Sequence, residues 1–137
     1  MIIEKTLVDE LSELIEHSQN SVVNYANYSL IRLFWQIGQR INSEILNQER
    51  AAYGKQIVST VSTQLTERFG RNFSLRNVRR MMQFSEQFPD FSEIQPFCTK
   101  LSWSHCVELL PLRTKEAKFF YANLVCSQRT SKHQGIT

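Results

Sequence analysis

The chain has 137 residues, which is the size of one ordinary domain and excludes two full-sized ones. A hydrophobic content of 42% with only four Gly and three Pro excludes a disordered or collagen-like protein and predicts a chain that folds mostly into helices. The net charge of +3 is too small to indicate a polyanionic partner, but residues 1–50 carry four basic and seven acidic side chains (−3), whereas residues 51–137 carry twelve and six (+6).

The cysteines and the first residues bear on the cellular compartment. Cys98, Cys106 and Cys126 are odd in number, widely spaced and without a C-x-x-C pair, which favours a reducing environment over a disulfide framework. Acidic residues interrupt the first ten positions, so these do not read as a signal peptide, and no apolar stretch has the length of a membrane span. The sequence predicts a cytoplasmic protein with no membrane partner.

Two amphipathic helices are predicted at the start of the chain. Between residues 3 and 16, leucine and isoleucine recur at three- and four-residue steps with acidic residues between them. Asn20 or Ser21 is expected to cap a second helix over residues 21–46, whose apolar positions exceed one narrow face. This helix is expected to be central in the fold or packed on a partner, and Gly38 within it predicts the close approach of another element.

The next two predicted helices are joined by a short turn. Apolar residues at steps of four predict a third helix over residues 53–69, which ends at Gly70. Ser74 then provides the N-cap of a fourth helix over about residues 75–88. Asn77 is expected to return a bond of the capping-box type to Ser74.

The remaining residues are predicted to form a loop, two shorter helices and a tail. Residues 89–101 are loop-like, Ser102 or Ser104 begins a short helix, and the last helix covers about residues 115–125. Residues 127–137 have no apolar period and are expected to be a frayed tail. There is no internal repeat and no alternation typical of strands.

The fourth predicted helix has one apolar and one basic face. On a helical wheel at about 100° per residue, most of its polar side chains fall in one arc and its apolar side chains fall in another. Asn77 lies on the apolar side, so capping is predicted for it rather than contact with a ligand. The polar arc contains Arg76, Arg79, Arg80, Gln83 and Gln87, and the apolar arc contains Leu75, Val78, Met81, Met82, Phe84 and Phe88.

A helix, a short turn and a helix with guanidinium groups near its start have the layout of a helix-turn-helix DNA-binding unit. Arginine stays charged at any relevant pH, and its planar group binds phosphate or a guanine edge with two hydrogen bonds. Arg68 and Arg71, at the preceding turn, are expected to be outer phosphate contacts, and Gln83 is a candidate base reader. Arginines on a helix surface also serve only to keep it soluble, so that alternative stays open.

Three patterns resemble catalytic or metal sites but lack the residues that these sites need. The Glu-Ala-Lys tripeptide at 116–118 matches a fragment of two-metal nucleases, yet it has no partner aspartate, so helical surface charge is the favoured interpretation. His105 and the cysteines lack the closely paired ligands of a zinc site. Ser102 and Ser104 beside His105 lack an aspartate and an oxyanion loop, which favours helix capping. No cofactor, metal or small-molecule substrate is predicted.

Aromatic side chains are frequent, and they would stack on bases if they were exposed. Their helical spacing instead predicts packing in the core. The set comprises Phe34, Trp35, Tyr53, Phe69, Phe73, Phe84, Phe88 and Trp103.

Several motifs resemble, in the same order, the N-terminal domain of the YhcG family. They are WQIGQRI at 35–41, YGK at 53–55, LTERFG at 65–70, FSLRNVRRM at 73–81, and LSWSH at 101–105 with ELL at 108–110, and the similarity covers about residues 15–123. Members of this family resemble two-part proteins, a helical N-terminal domain of proposed DNA-binding type and a PDDEXK nuclease-like domain. The resemblance implies that Arg76, Arg79 and Arg80 belong to the basic segment of the family. Because the chain departs from the family pattern from Leu124 onward and then stops, it is interpreted as the N-terminal domain alone, without nuclease activity.

The sequence thus predicts one all-α domain, residues 1–126, with about six helices and a helix-turn-helix-like unit. Its predicted function is to hold DNA without catalysis, mostly through phosphate contacts. The alternative is a protein-interaction module in which the apolar helix 21–46 forms a dimer seam or docks a nuclease domain. A catalytic fragment is least favoured, because no metal-binding or acid–base set is present. The predicted DNA contacts are Arg68, Arg71, Arg76, Arg79, Arg80 and Gln83.

Overall fold

The computed structural model describes the backbone of residues 2–46 and 51–135, with side chains at most positions between Val8 and Gln128. These ranges contain five α-helices, three short 3₁₀-helices and no strand, which confirms the all-α class with five helices rather than about six. The helices are α1 (Ile2–Leu46), α2 (Ala51–Phe69), α3 (Leu75–Gln87), α4 (Trp103–Leu109) and α5 (Lys115–Gly135). The 3₁₀-helices are Arg71–Phe73, Phe91–Glu93 and Gln95–Phe97.

The first two predicted helices are one continuous helix. α1 has 45 residues, which corresponds to a length of about 67 Å at about 1.5 Å per residue. The cap predicted at Asn20 or Ser21 is wrong, because the helical backbone passes through both positions. No Gly or Pro precedes Gly38, and an interior Ser or Asn costs a helix only about 0.7 kcal/mol or less. A polar residue with good capping chemistry therefore does not end this helix.

α2 and α3 lie where they are predicted, apart from small differences at their ends. Gly70 follows α2 with a φ of 102°, in the left-handed region that favours glycine at a helix end. The Ser74 hydroxyl caps α3 by accepting a hydrogen bond from the Asn77 backbone N–H at 3.3 Å. Both boundaries follow from single residues with a strong local preference.

The turn between α2 and α3 is fastened to α2. The carbonyl oxygen of Phe73 accepts hydrogen bonds from the hydroxyls of Ser62, at 2.8 Å, and Thr66, at 2.9 Å. These bonds join the last residue of the turn to two successive turns of α2. The angle at which the chain enters α3 is therefore fixed from the side of α2.

α3 packs mainly against α1, and Gly38 lies at the closest approach. A Cβ atom at position 38 would lie 2.1 Å from the carbonyl oxygen of Met81 and 2.6 Å from the hydroxyl of Ser85. The close approach predicted from this glycine is confirmed. Only a residue without a side chain lets the two backbones come so near.

Three polar side chains cross the α1–α3 contact and bind backbone carbonyls. The Trp35 indole N–H donates to the carbonyl of Phe88 at 2.7 Å, and the Asn42 amide donates to that of Met82 at 2.9 Å. In the other direction, the Ser85 hydroxyl donates to the carbonyl of Trp35 at 2.7 Å. Together these bonds set the rotation of α3 about its own axis, and hence which of its side chains face water.

The core consists of two buried clusters. The smaller one joins Ile41 of α1, Val58 of α2 and Val78 of α3. The larger one joins α1, the end of α3 and the elements that follow α3 in the chain. These C-terminal elements therefore pack against α1 away from α2. The buried members of the larger cluster are Ile31, Phe84, Phe88, Ile94, Cys98, Leu101, Cys106, Leu109, Ala122 and Val125.

Most of the aromatic residues pack as predicted, with one clear exception. Phe34 and Phe84 are buried, and the Trp103 ring lies against them with centroid distances of 4.9 and 5.4 Å. The helical spacing predicts Phe69 in the core, but it is 70% exposed, and its ring lies beside that of Phe73 with a centroid distance of 5.9 Å. It is the last residue of α2, where the helical spacing no longer reports on burial. The side chain of Tyr53 lies outside the described residues.

The C-terminal elements differ from prediction at two points. α4 begins where expected, since Ser102 and His105 form a capping box, but α5 continues to Gly135 instead of ending near position 125. Lys118, expected on the helix surface, is buried, and its ammonium donates to the carbonyl of Leu112. Within the described ranges, no helix combines the length and apolar character that a bilayer span requires.

Candidate nucleic-acid interface

The outward side of α3 carries the predicted basic residues. Arg76, Arg79 and Gln83 are exposed, and Arg80 is half-buried. On the opposite side, the residues that face the core are fully buried, which agrees with the division of the helical wheel. These buried residues are Val78, Met81, Phe84 and Phe88.

A shallow surface depression lies on this outward side. It is lined by four polar side chains and one apolar one, which all belong to the first nine residues of α3: Leu75, Arg76, Arg79, Arg80 and Gln83. The helical wheel predicts Leu75 in the apolar arc, but it is 36% exposed because it is the first residue of the helix and lies beyond the packed surface of α1. The depression therefore combines three cationic groups, one amide and one apolar contact.

The other predicted contact residues do not line this depression. Arg68 is exposed in the last turn of α2, and Arg71 is exposed in the 3₁₀-helix that precedes α3. Gln87, which shares the polar arc by sequence, is half-buried and donates to the carbonyl of Leu110 at 3.1 Å. The structure thus brings together Arg76, Arg79, Arg80 and Gln83 and leaves the two turn arginines at the periphery.

The arginines of this surface have no ionic partner among the described residues. In that part of the chain, Arg68, Arg71, Arg76, Arg79 and Arg80 form no ion pair and no hydrogen bond, and the pairs seen there join other residues. Their N–H donors therefore remain available to a ligand. The surface is accordingly basic, with the exposed Glu86 further along the same helix.

Asn77 anchors α3 from its buried side. Its side-chain oxygen accepts a hydrogen bond from the Trp103 indole N–H at 2.9 Å, and its amide nitrogen donates to the carbonyl of Asn72 at 2.6 Å. The predicted bond back to Ser74 is wrong, because both ends of the amide are used elsewhere. Asn77 is correctly excluded as an outward-facing residue, but its partner on α4 is distant in sequence and no local pattern indicates it.

Replacing Asn77 with alanine should lower the free energy of unfolding by about 1–3 kcal/mol, since it leaves the Trp103 indole N–H and the Asn72 carbonyl without their partner. Urea denaturation followed by tryptophan fluorescence measures the loss. Asn72→Ala is the matched control, because Asn72 is exposed and contributes its backbone carbonyl. Equal stability of the two variants would show that the Asn77 bonds do not hold α3 in place.

The residues considered for metal or nucleophilic chemistry have structural partners. Burial raises the pKa of Cys98 to about 12 and raises the pKa of Cys106 further still, which disfavours the thiolate that metals and electrophiles require. The His105 ring nitrogen Nδ1 lies 3.1 Å from the Ser102 backbone N–H and accepts its hydrogen bond in the capping box. Across the described residues, no three His, Cys, Asp or Glu side chains are grouped as ligands of one metal ion.

Comparison with known proteins places this surface within a described family. Residues 10–134 match the sequence model of the DUF1016 N-terminal domain, and this span is most of the chain. The chain belongs to the DUF1016 N-terminal domain family. The DUF1016 match includes every residue that lines the depression and the turn before it. The match also extends past Leu124. The sequence predicts that the chain departs from the family pattern from Leu124 onward, and this prediction is wrong up to residue 134.

Among curated proteins, this DUF1016 domain is similar to "Putative nuclease YhcG" of Escherichia coli (strain K12), with 32% identity over 77 residues. The aligned part is 56% of this chain and 20% of that protein, so the chain spans about a fifth of the length of the relative that it matches. The resemblance to the YhcG family is thereby confirmed for the N-terminal domain. No solved structure matches the chain.

Proposed function

We propose that this DUF1016 N-terminal domain is a non-catalytic module that holds DNA on the outward face of α3. The observation that carries the proposal is the depression, in which Arg76, Arg79 and Arg80 lie together without acidic partners among the described residues. Three guanidinium groups on one side of a helix favour a polyanion such as the phosphate backbone of a nucleic acid.

The packing of α3 supports a helix-turn-helix mode of binding. α2 and the turn after it fix the start of α3, while α1 covers the opposite side of the helix and leaves the arginine side exposed. In this mode α3 approaches the groove, and the partial positive charge of its first turn adds to the attraction for phosphate. Arg68 and Arg71 then reach the flanking phosphates from the preceding turn.

The side chains of the depression divide into backbone contacts and base contacts. Arg76, Arg79 and Arg80 bind phosphate oxygens, which supplies most of the affinity and makes it sensitive to salt. Gln83 offers a donor and an acceptor on one amide, the pair that matches the exposed edge of adenine. Leu75 adds an apolar contact next to them. The module therefore holds DNA tightly and reads little of its sequence.

The relative supports a nucleic acid as the ligand, since it is named "Putative nuclease YhcG". In the proposal, this domain binds DNA and supplies no catalytic group, and cleavage belongs to a separate domain. The alternative, an interface built from the apolar helix 21–46, has less support as the main function, because Ile31, Phe34 and Ile41 of that segment are buried in the core of the domain itself. A partner could meet exposed residues of the segment, such as Leu30 and Leu33.

Titration of fluorescently labelled duplex, single-stranded and four-way branched DNA, followed by anisotropy, tests the proposal. If the five proposed arginines each displace one counterion from duplex DNA, raising the salt from about 50 to about 200 mM should weaken binding by about 500-fold. The form of DNA bound most tightly at both salt concentrations identifies the preferred substrate shape. Failure to bind any of the three at the lower salt concentration would refute DNA binding.

A further inference from the structure

The N-terminal part of α1 carries an apolar stripe that the domain does not cover. Val8 is 59% exposed, Leu11 47% and Ile15 57%, although all three are large apolar side chains on a long helix. The stripe continues through Ala26, Leu30 and Leu33, which are also exposed. Soluble proteins rarely expose this many apolar side chains along one side of a helix unless another surface covers them.

This stripe is distinct from the side of α1 that packs in the core. At about 100° per residue, its members fall in an arc about 100° wide, centred about 110° away from the arc that contains Ile31, Phe34 and Gly38. The stripe consists of two groups, positions 8, 11 and 15 and positions 26, 30 and 33, and position 19 between them is an exposed glutamine. Positions 11 or 22 residues apart, such as 15 and 26, stay in line along a nearly straight helix. α1 therefore has one face for its own core and a second face for a partner.

We propose that the stripe binds the same stripe of a second copy of this chain, with the two α1 helices antiparallel. In the register that fits, Val8 of one copy lies opposite Leu33 of the other, and Leu11 lies opposite Leu30. Ile15 then lies opposite Ala26, and the two-fold axis passes between positions 20 and 21. The seam pairs large side chains with each other near its ends and a large with a small one near its middle.

Charge complementarity selects the second copy as the occupant and the antiparallel direction as its orientation. Residues 1–16 carry five acidic side chains and one lysine (−4), whereas residues 25–40 carry no acid and two arginines, of which Arg40 is paired with Glu44 and Arg32 is not. An antiparallel pair brings each acidic segment beside the basic segment of the other copy. A parallel pair would place the two acidic segments side by side, where like charges repel.

The self-association is independent of the proposed DNA contact, because no residue of the stripe lines the depression on α3. Sedimentation equilibrium of the full chain at protein concentrations from about 1 to about 100 μM measures the monomer–dimer equilibrium. We expect a dimer, and we expect Leu11→Glu to raise its dissociation constant at least about 100-fold, since the carboxylate would be buried in the seam without a partner. Circular dichroism checks that the variant keeps its helix content.

Phe120→Glu is the matched control, because Phe120 is 71% exposed on α5 and lies off the stripe, so the same substitution there should leave the dimer unchanged. A wild-type chain that stays monomeric throughout the concentration range would overturn the proposal. So would a Leu11→Glu variant that dimerises as strongly as the Phe120→Glu variant.

Disulfide cross-linking tests the register, in a background in which Cys126 is replaced by serine. Val8→Cys should not cross-link to itself, since the two copies of position 8 are about 37 Å apart along the seam. An oxidised mixture of Val8→Cys chains and Leu33→Cys chains should instead yield a disulfide-linked heterodimer. Cross-linking of Val8→Cys to its own copy would indicate a parallel pair and would overturn the antiparallel arrangement.

Discussion

Replacing Arg79 and Arg80 together with alanine should weaken the binding of duplex DNA by about 10- to 100-fold at low salt and reduce the slope of log affinity against log salt by about 1.8. Both side chains line the depression on α3, and neither is engaged by a described carboxylate. Their removal takes away two proposed phosphate contacts and breaks no ion pair or hydrogen bond with the described residues. The free energy of unfolding should therefore change by no more than about 0.5 kcal/mol.

The double variant Lys55→Ala/Arg113→Ala provides the matched control for this prediction. Lys55 is exposed on α2, Arg113 is exposed just before α5, and neither lines the depression. The control removes the same formal charge from another part of the surface, so it should retain nearly full affinity. Equal losses in the two double variants would mean that overall charge attracts the DNA and that α3 is not its binding surface.

Gly38→Ala should lower the free energy of unfolding by about 3 kcal/mol or more, at the upper end of the range for overpacking. The added Cβ atom would lie 2.1 Å from the carbonyl oxygen and 2.4 Å from the carbonyl carbon of Met81. Both are backbone atoms in the middle of α3, so they cannot rotate away, and α3 must move off α1. For a domain whose total stability is typically about 5–15 kcal/mol, this is a large fraction. Urea denaturation of the purified variant measures it.

Gly54→Ala is the control, because it makes the same change in the interior of α2. Its Cβ atom would approach the Ile45 side chain at 3.2 Å, a contact that a small shift of that side chain relieves. Alanine also favours the helix by about 1 kcal/mol over glycine, which offsets the remaining crowding. We expect a change within about 1 kcal/mol, and comparable losses at positions 38 and 54 would contradict the close packing of α1 and α3.

The features that local chemistry determines were predictable from the sequence. Gly70 and Ser74 end α2 and begin α3 because their own backbone and capping preferences favour those positions. The exposed arginines of α3 follow from the helical period, since any helix with this sequence has a basic side. The close approach at Gly38 was predictable as well, because a glycine inside a strongly apolar helix is typical of a position where a second backbone comes near.

The features that depend on distant residues were not predictable. Nothing near Asn77 in the sequence indicates its bond to Trp103. Likewise, no sequence pattern indicates that Lys118 is buried and donates a hydrogen bond to the Leu112 carbonyl. A local signal also fails where the preference of the surrounding residues for a helix is stronger. The capping chemistry of Ser21, for example, does not interrupt α1. Phe69 keeps the apolar period of α2, but the helix ends there and no described element extends far enough to cover its ring.

The contacts that hold α3 on α1 do not depend on which side chains α3 presents to water. Trp35 and Asn42 hold it by its main-chain oxygens, and the water-facing positions 76, 79, 80 and 83 take no part in that attachment. Substitution of these four residues should therefore leave the position of α3 on α1 unchanged. The same backbone can accordingly present a different set of side chains on this surface.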